Sequence, residues 1–192
     1  MQLSVICYVG LWLATTSTPV CRDFYDTLAD AALELTKDRV VYNPAYFSIP
    51  YPNGDVPARF GVCTDVVIRA YRRVGIDLQK EVHEDMSAHF DSYPKLWNAS
   101  KPNSNIDHRR VPNLDRFFSR NGQPLKITAD PADYLPGDIV IWRLSGSTYH
   151  IGLVSRMKKG NVPLIVHNIC CGQVAEDFLF RATIVGHYRY GK

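Results

Sequence analysis

This chain has no apolar run approaching the roughly 20 residues that a bilayer-spanning helix requires, so a membrane-embedded protein is not expected. Cysteine is scarce. The 192 residues hold five, at positions 7, 21, 63, 170 and 171. None forms a C-x-x-C pair, which leaves a structural zinc knuckle and a disulfide-built mini-protein without support. Charge of one sign is lacking too: 22 basic residues face 19 acidic ones, a formal net charge of +3. The densest basic group is only "HRR" at 108–110. A nucleic-acid partner is therefore not expected. Repeats and low-complexity segments are absent as well. What is present is apolar material, 46% of residues with 11% aromatic, enough to bury the core of one domain.

The first 20 residues read as a secretory signal peptide. No charge precedes Arg22, residues 3–14 are mostly apolar, and the small polar run "ATTSTPV" follows. The positive n-region is missing, and a buried N-terminal strand or helix is the other reading. Cleavage would start the mature chain near residues 17–21, leave 21–192 as one domain, and place it in a periplasmic or secreted setting without stable membrane insertion. "TPVC" is a poor lipobox, so lipidation at Cys21 is not favoured. Export would expose Cys21, Cys170 and Cys171 to oxidation, but adjacent cysteines such as Cys170 and Cys171 are strained partners, and partial burial is their expected fate.

Hydrophobic spacing predicts a first helix within 21–38, with Phe24, Leu28, Ala31, Ala32 and Leu35 inward. A second helix spans about 62–74, its stripe made by Val66, Val67, Ala70, Tyr71 and Val74 and stopped by Gly75. A third covers 78–90 and a fourth 111–122, with a loop over 91–108. Strands follow within 136–144, 150–157, 163–169 and 182–191. Helices first and strands afterwards imply an α+β domain with N-terminal helices packed on an antiparallel sheet.

Cys63 extends the apolar stripe of the second helix and is equally the first residue of that helix. A thiol there meets the positive end of the helix dipole and unpaired backbone N–H groups, which favour thiolate and could hold an oxyanion. Burial as a small apolar residue is the competing reading. A nucleophile also needs a base, and His150 begins a strand directly after the turn "SGSTY". If "KKGN" at 158–161 is a four-residue hairpin tip, His150 lies opposite Ile169 and His167 opposite Gly152. His150 and His167 then become diagonal neighbours about 7–8 Å apart at Cβ. A loop one residue longer or shorter would present Asn168 instead.

"GVCTDVVIRAYR", "LPGDIVIW", "HIGLVS" and "LIVHN" resemble, in order, the pattern of NlpC-type papain-like cysteine peptidases. More narrowly, "CTDVVIRAYR", "HRRVPNL" and "PGDIVIW" resemble the exported bacterial family described as domain of unknown function 1287. The resemblance implies a papain-like fold and hydrolysis of amide bonds in cell-wall peptides by Cys63 as nucleophile, His150 as base and His167 as orienting group. It implies no cofactor. Val62 and Thr64-Asp65 depart from the superfamily's acidic residue before the cysteine and Ser-Gly after it, which bears on the substrate pocket.

Asp65, in the first helical turn, reads as a dipole partner of the helix or as a pocket acid holding an arginine or a substrate amine. Arg109 or Arg110 could grip a peptide carboxylate, with His108 beside them; the bland alternative is a solvated basic turn. Tyr46 and Tyr51 could line the cleft, with packing the plainer role. Asp138 reads as a turn residue and Trp142 as core. Two rival functions remain: a zinc site built from the same Cys, His and His, and a non-catalytic binding module for wall peptides. Acyl transfer to an amine would share the same acyl-enzyme as hydrolysis, and no oligomeric state is implied.

Overall fold

The computed structural model describes residues 23–146 and 148–191. The proposed signal segment 1–20 and Cys21 lie outside the described residues. The first helix, α1, is Phe24–Leu35, and it buries Leu28, Ala29, Ala32 and Leu35. Phe24 and Ala31, expected inward, are only partly covered. Helix α2, Cys63–Arg73, is buried from Cys63 through Tyr71, and Gly75 follows it at φ 85°. A positive φ of this kind is a glycine's usual place after a helix. Helix α3, Leu78–Ala88, is capped by the Asp77 carboxylate, which accepts from the Gln79 and Lys80 amides at 3.0 and 3.3 Å. Helix α4, Val111–Asn121, carries Pro112 in its first turn, where a missing N–H costs no hydrogen bond.

The region before α2 is too punctuated by Pro, Tyr and Gly for a long element, and it contributes two short strands. β1, Val41–Tyr42, runs parallel to β2, Phe60–Gly61, and this pairing brings Tyr42 beside the start of α2. The main sheet has six strands: β3 (Gln123–Pro124), β4 (Ile139–Arg143), β5 (Tyr149–Lys159), β6 (Val162–His167), β7 (Val174–Glu176) and β8 (Thr183–Arg189). Their spatial order is β3-β8-β4-β5-β6-β7, antiparallel throughout. The domain is thus α+β, four helices on an antiparallel sheet. No helix among the described residues is long and apolar enough to cross a membrane.

The sheet's two faces do different work. Ile139, Ile141, Ile151, Leu153 and Val166 pack with the helices. Val140, Trp142, Val154 and Ile165 build a second cluster on the other face with Tyr134, Phe178 and Leu179. Strand alternation puts His150 and His167 on that second face. Trp142 is fully buried there, and its indole N–H donates to the Leu179 carbonyl at 2.9 Å.

The hairpin differs from the four-residue tip expected at 158–161. Lys159 pairs with Val162, so the tip is Gly160–Asn161, with Gly160 at φ 63°. Two-residue hairpin turns need such left-handed positions. The register then shifts between Val154 and Lys158, and Leu153 pairs with Val166. Ser155 holds this irregularity, its hydroxyl bonded to both the carbonyl and the amide of Met157. Two extra residues enter β5 there, an even number, so every side chain keeps the face that the longer tip implies.

Candidate active site

Cys63 is the first residue of α2 and the free thiol among the described residues. Both of its sequence readings describe it. It is 6% exposed and packs with the helical core, and it also forms part of a cleft wall. The backbone amide of Ile151, one residue past His150, favours the sulfur's anion, and the amides of Thr64 and Cys63 itself, at the start of the helix, act in the same direction. Burial nevertheless dominates and pushes the thiol up to about 11, with Asp65 adding to the rise. This corrects the expectation that the helix N-terminus alone would favour thiolate: desolvation of the anion outweighs the amides. The resting thiol is protonated at neutral pH.

His150 and His167 meet as diagonal neighbours. His150 Nε2 and His167 Nδ1 are 2.6 Å apart, and both rings are buried. Gly152 makes this approach possible. A Cβ built there would stand 2.6 Å from Ile165 Cγ2 and 3.1 Å from His167 Cβ. Phe178 covers both imidazoles, and Trp142 covers His150. Burial pushes His150 down to about 3, with His167 adding to the fall, so the ring is neutral. Burial lowers His167 as well, against the pull of Glu176. His167 Nε2 lies 3.0 Å from the Glu176 Oε1. Asn168, the alternative third residue, turns elsewhere and donates to the Gly61 carbonyl at 3.3 Å. No direct hydrogen bond joins Cys63 to His150 among the described residues; the amide of the next residue, Ile151, is the β5 group that acts on the thiol.

The cleft at Cys63 has a volume of about 650 Å³. Tyr42, Trp97, Tyr149, Leu96, Ile106 and Val111 give it an aromatic and apolar wall, and Arg110 gives it charge. Tyr42, like Trp97 and Tyr149 near it, is a cleft residue that the sequence did not single out. Only the β1–β2 pairing reveals it, and burial together with the nearby Cys63 and Asp65 raises its phenol. Tyr46 and Tyr51, expected there, stand exposed and outside the lining. The Tyr46 hydroxyl accepts from Asn105 at 2.7 Å, and the Tyr51 ring meets His83 edge-on.

Of the four proposed substrate contacts, two are already spent on each other. Arg109 Nε and Nη2 donate to the Asp65 carboxylate at 2.9 and 3.0 Å, and Nη1 donates to the Ala45 carbonyl at 3.0 Å. Asp65 Oδ2 also accepts the Val62 amide at 2.7 Å, closing the first turn of α2. Asp65 thus holds an arginine, as one of its sequence readings has it, and this buried pair is not a solvated basic turn. His108 is 2% exposed and does not line the cleft; burial and the neighbouring arginines push it down to about 3. Arg110 remains available. Its guanidinium lies 4.5 Å from the Trp97 ring centre, and no carboxylate pairs with it among the described residues.

Asp138 is more than a turn residue. Its carboxylate is fully buried, with the His187 Nε2 at 2.8 Å and the donating Arg189 Nε at 2.5 Å, which ties β8 to the turn before β4. Cys170 and Cys171 correct a second expectation. They are disulfide-bonded to each other and exposed, not partly buried. Among the described residues no group of three or more His, Cys, Asp or Glu could hold a metal ion. The zinc reading loses its geometry because the two imidazoles bond each other. A second cavity of about 680 Å³, lined by Arg39, Arg59, Arg69, Arg72 and Arg73, contains neither a thiol nor a histidine.

Residues 29–190 match the family described as domain of unknown function (DUF1287), and the chain belongs to that family. An Escherichia coli (strain K12) protein named "Uncharacterized protein YijF" is 50% identical over 164 residues, covering 85% of this chain and 80% of its own. No solved structure matches the chain.

Proposed function

We propose that this member of the family is an exported papain-like thiol hydrolase that cleaves an amide bond in a peptide substrate. The observation that carries the reading is the placement of one free buried thiol in a cleft wall, under the influence of the backbone amide beside a histidine whose Nε2 is engaged by a second histidine. His150 Nε2 faces His167, which leaves Nδ1 for the thiol.

The chemistry follows from that arrangement. His150 Nδ1 takes the Cys63 proton as the sulfur attacks the substrate carbonyl carbon. The Cys63 backbone N–H and the Tyr42 hydroxyl, both at the cleft, are the donors for the developing oxyanion. The C–N bond breaks, and His150 returns the proton to the leaving amine. Water then attacks the thioester, giving its proton to His150, and the acid product leaves as the thiol is restored. A neutral thiol and a neutral imidazole suit proton transfer within the attack rather than a standing ion pair.

The cleft also selects charge. Its lining includes no Asp or Glu, Arg109 is neutralised by Asp65, and Arg110 is left to meet a carboxylate. The substrate is therefore a peptide with an acidic group near the scissile bond. The motif resemblance and the N-terminal signal segment direct this to bacterial cell-wall peptide.

The test is mass spectrometry of wall-derived peptides incubated with the enzyme. New amine and acid termini are expected with wild type and not with Cys63→Ser or His150→Ala. A thioester on Cys63 should be trapped at short times. Binding without cleavage in all three proteins would instead support the wall-peptide binding module.

A further inference from the structure

We propose that Glu176 is a positioning residue that sets the proton arrangement of both histidines and so makes His150 Nδ1 the basic atom. The inference rests on the thiol-hydrolase reading and extends it by one residue that the sequence does not single out.

The argument is a count of donors and acceptors. A carboxylate only accepts hydrogen bonds. Glu176 Oε1 lies 3.0 Å from His167 Nε2, so the proton of neutral His167 sits on Nε2. His167 Nδ1 is then a bare acceptor. At 2.6 Å from it, His150 Nε2 must be the donor. Neutral His150 has one ring proton, and it is now committed to Nε2. Nδ1 is left with its lone pair, the form required to take a proton from Cys63. Each tautomer is dictated by the next, and the acceptor at the far end starts the series.

The strand register explains how Glu176 reaches this place. β7 pairs with β6 so that Val174 faces His167 and Glu176 faces Ile165. Glu176 is therefore diagonal to His167 on one face, as His167 is to His150. Arg181 Nη1 lies 3.8 Å from the second carboxylate oxygen, and Lys159 donates to the adjacent Asp177 at 3.1 Å. Both hold the short edge strand that carries the acid.

The test is imidazole nitrogen NMR on the full-length wild type, Glu176→Ala and Glu176→Gln, paired with the rate of substrate turnover. Wild type is expected to show both histidines protonated at Nε2. Glu176→Ala should populate the Nδ1-protonated form of His167 and lower turnover by about tenfold or more. Glu176→Gln keeps an acceptor oxygen and should recover most of the tautomer signal and of the rate. Unchanged tautomers in Glu176→Ala would overturn the inference, even if stability fell. So would a wild-type His150 protonated at Nδ1. If the tautomers behave as expected but Cys63→Ser still turns over substrate, the hydrolase reading fails and the role of Glu176 in setting the tautomers stands.

Discussion

Arg109 and Asp65 show how one buried pair can frame the helix start that carries Cys63. Their side chains are 1% and 3% exposed, and the bidentate contact spans the loop before β2, the first turn of α2 and the segment before α4. Removing one partner strands a buried charge, which costs about 3–5 kcal/mol. Arg109→Ala is accordingly expected to lower the urea unfolding free energy by that order, and Asp65→Leu with Arg109→Met to lose less than the two single changes summed. Additive losses would show that the two do not act as a pair. Arg110, the next residue in the sequence, should behave oppositely. Arg110→Ala is expected to leave stability within about 0.5 kcal/mol and to raise KM for carboxylate-bearing peptides, with little change for amidated analogues. Equal loss on both substrates would remove Arg110 from substrate reading.

Strand β5 is the element on which the site depends. It brings the Ile151 amide to bear on the thiol, projects His150 towards the far face, and has no side chain at Gly152 where His167 crosses. Gly152→Ala would place a methyl 3.0 Å from the Val166 carbonyl and 2.6 Å from Ile165. Overpacking of this kind costs about 1–3 kcal/mol. The variant is expected to fold, to melt earlier, and to lose turnover beyond its loss of stability, because His167 is pushed from His150. A variant with unaltered turnover would place the histidine contact outside the rate-determining chemistry. Gly160, by contrast, meets nothing within 4 Å; a substitution there should cost only the backbone strain of its positive φ.

Across the whole molecule, buried neutral histidines make acid the weak side. His108 and His150 are depressed to about 3, and His167 is lowered by burial. A histidine depressed in the folded state is neutral there while the unfolded chain takes up a proton below about pH 6.5, so stability falls as pH drops from 6.5 towards 3. Each such group contributes about 1.4 kcal/mol per pH unit in that window, hence about 2–3 kcal/mol per unit for His108 and His150 together. Asp107 and Asp115, raised by burial, oppose this at the lower end. Urea midpoints between about pH 4 and pH 8 should therefore decline steadily below 6.5, and less steeply in His150→Phe. A flat profile would mean that these rings are hydrated in solution.

The amphipathic spacing of four helices and the apolar runs of the longer strands were legible in the sequence, because both periods are local properties of the chain. Cys63 at a helix start and His150 and His167 at strand ends were legible for the same reason. Parity left His167 and Asn168 both open as the third residue; the two-residue tip together with the irregularity at Ser155 sets the register that turns His167 to His150. Three things only the tertiary structure decided. Tyr42 joins the cleft through a two-residue parallel pairing too short to leave a pattern. Glu176 reaches His167 through an edge strand that follows an irregular six-residue connection. The protonation of Cys63 and His150 is set by how deeply the folded chain buries them, and desolvation depends on neighbours that arrive from distant parts of the sequence.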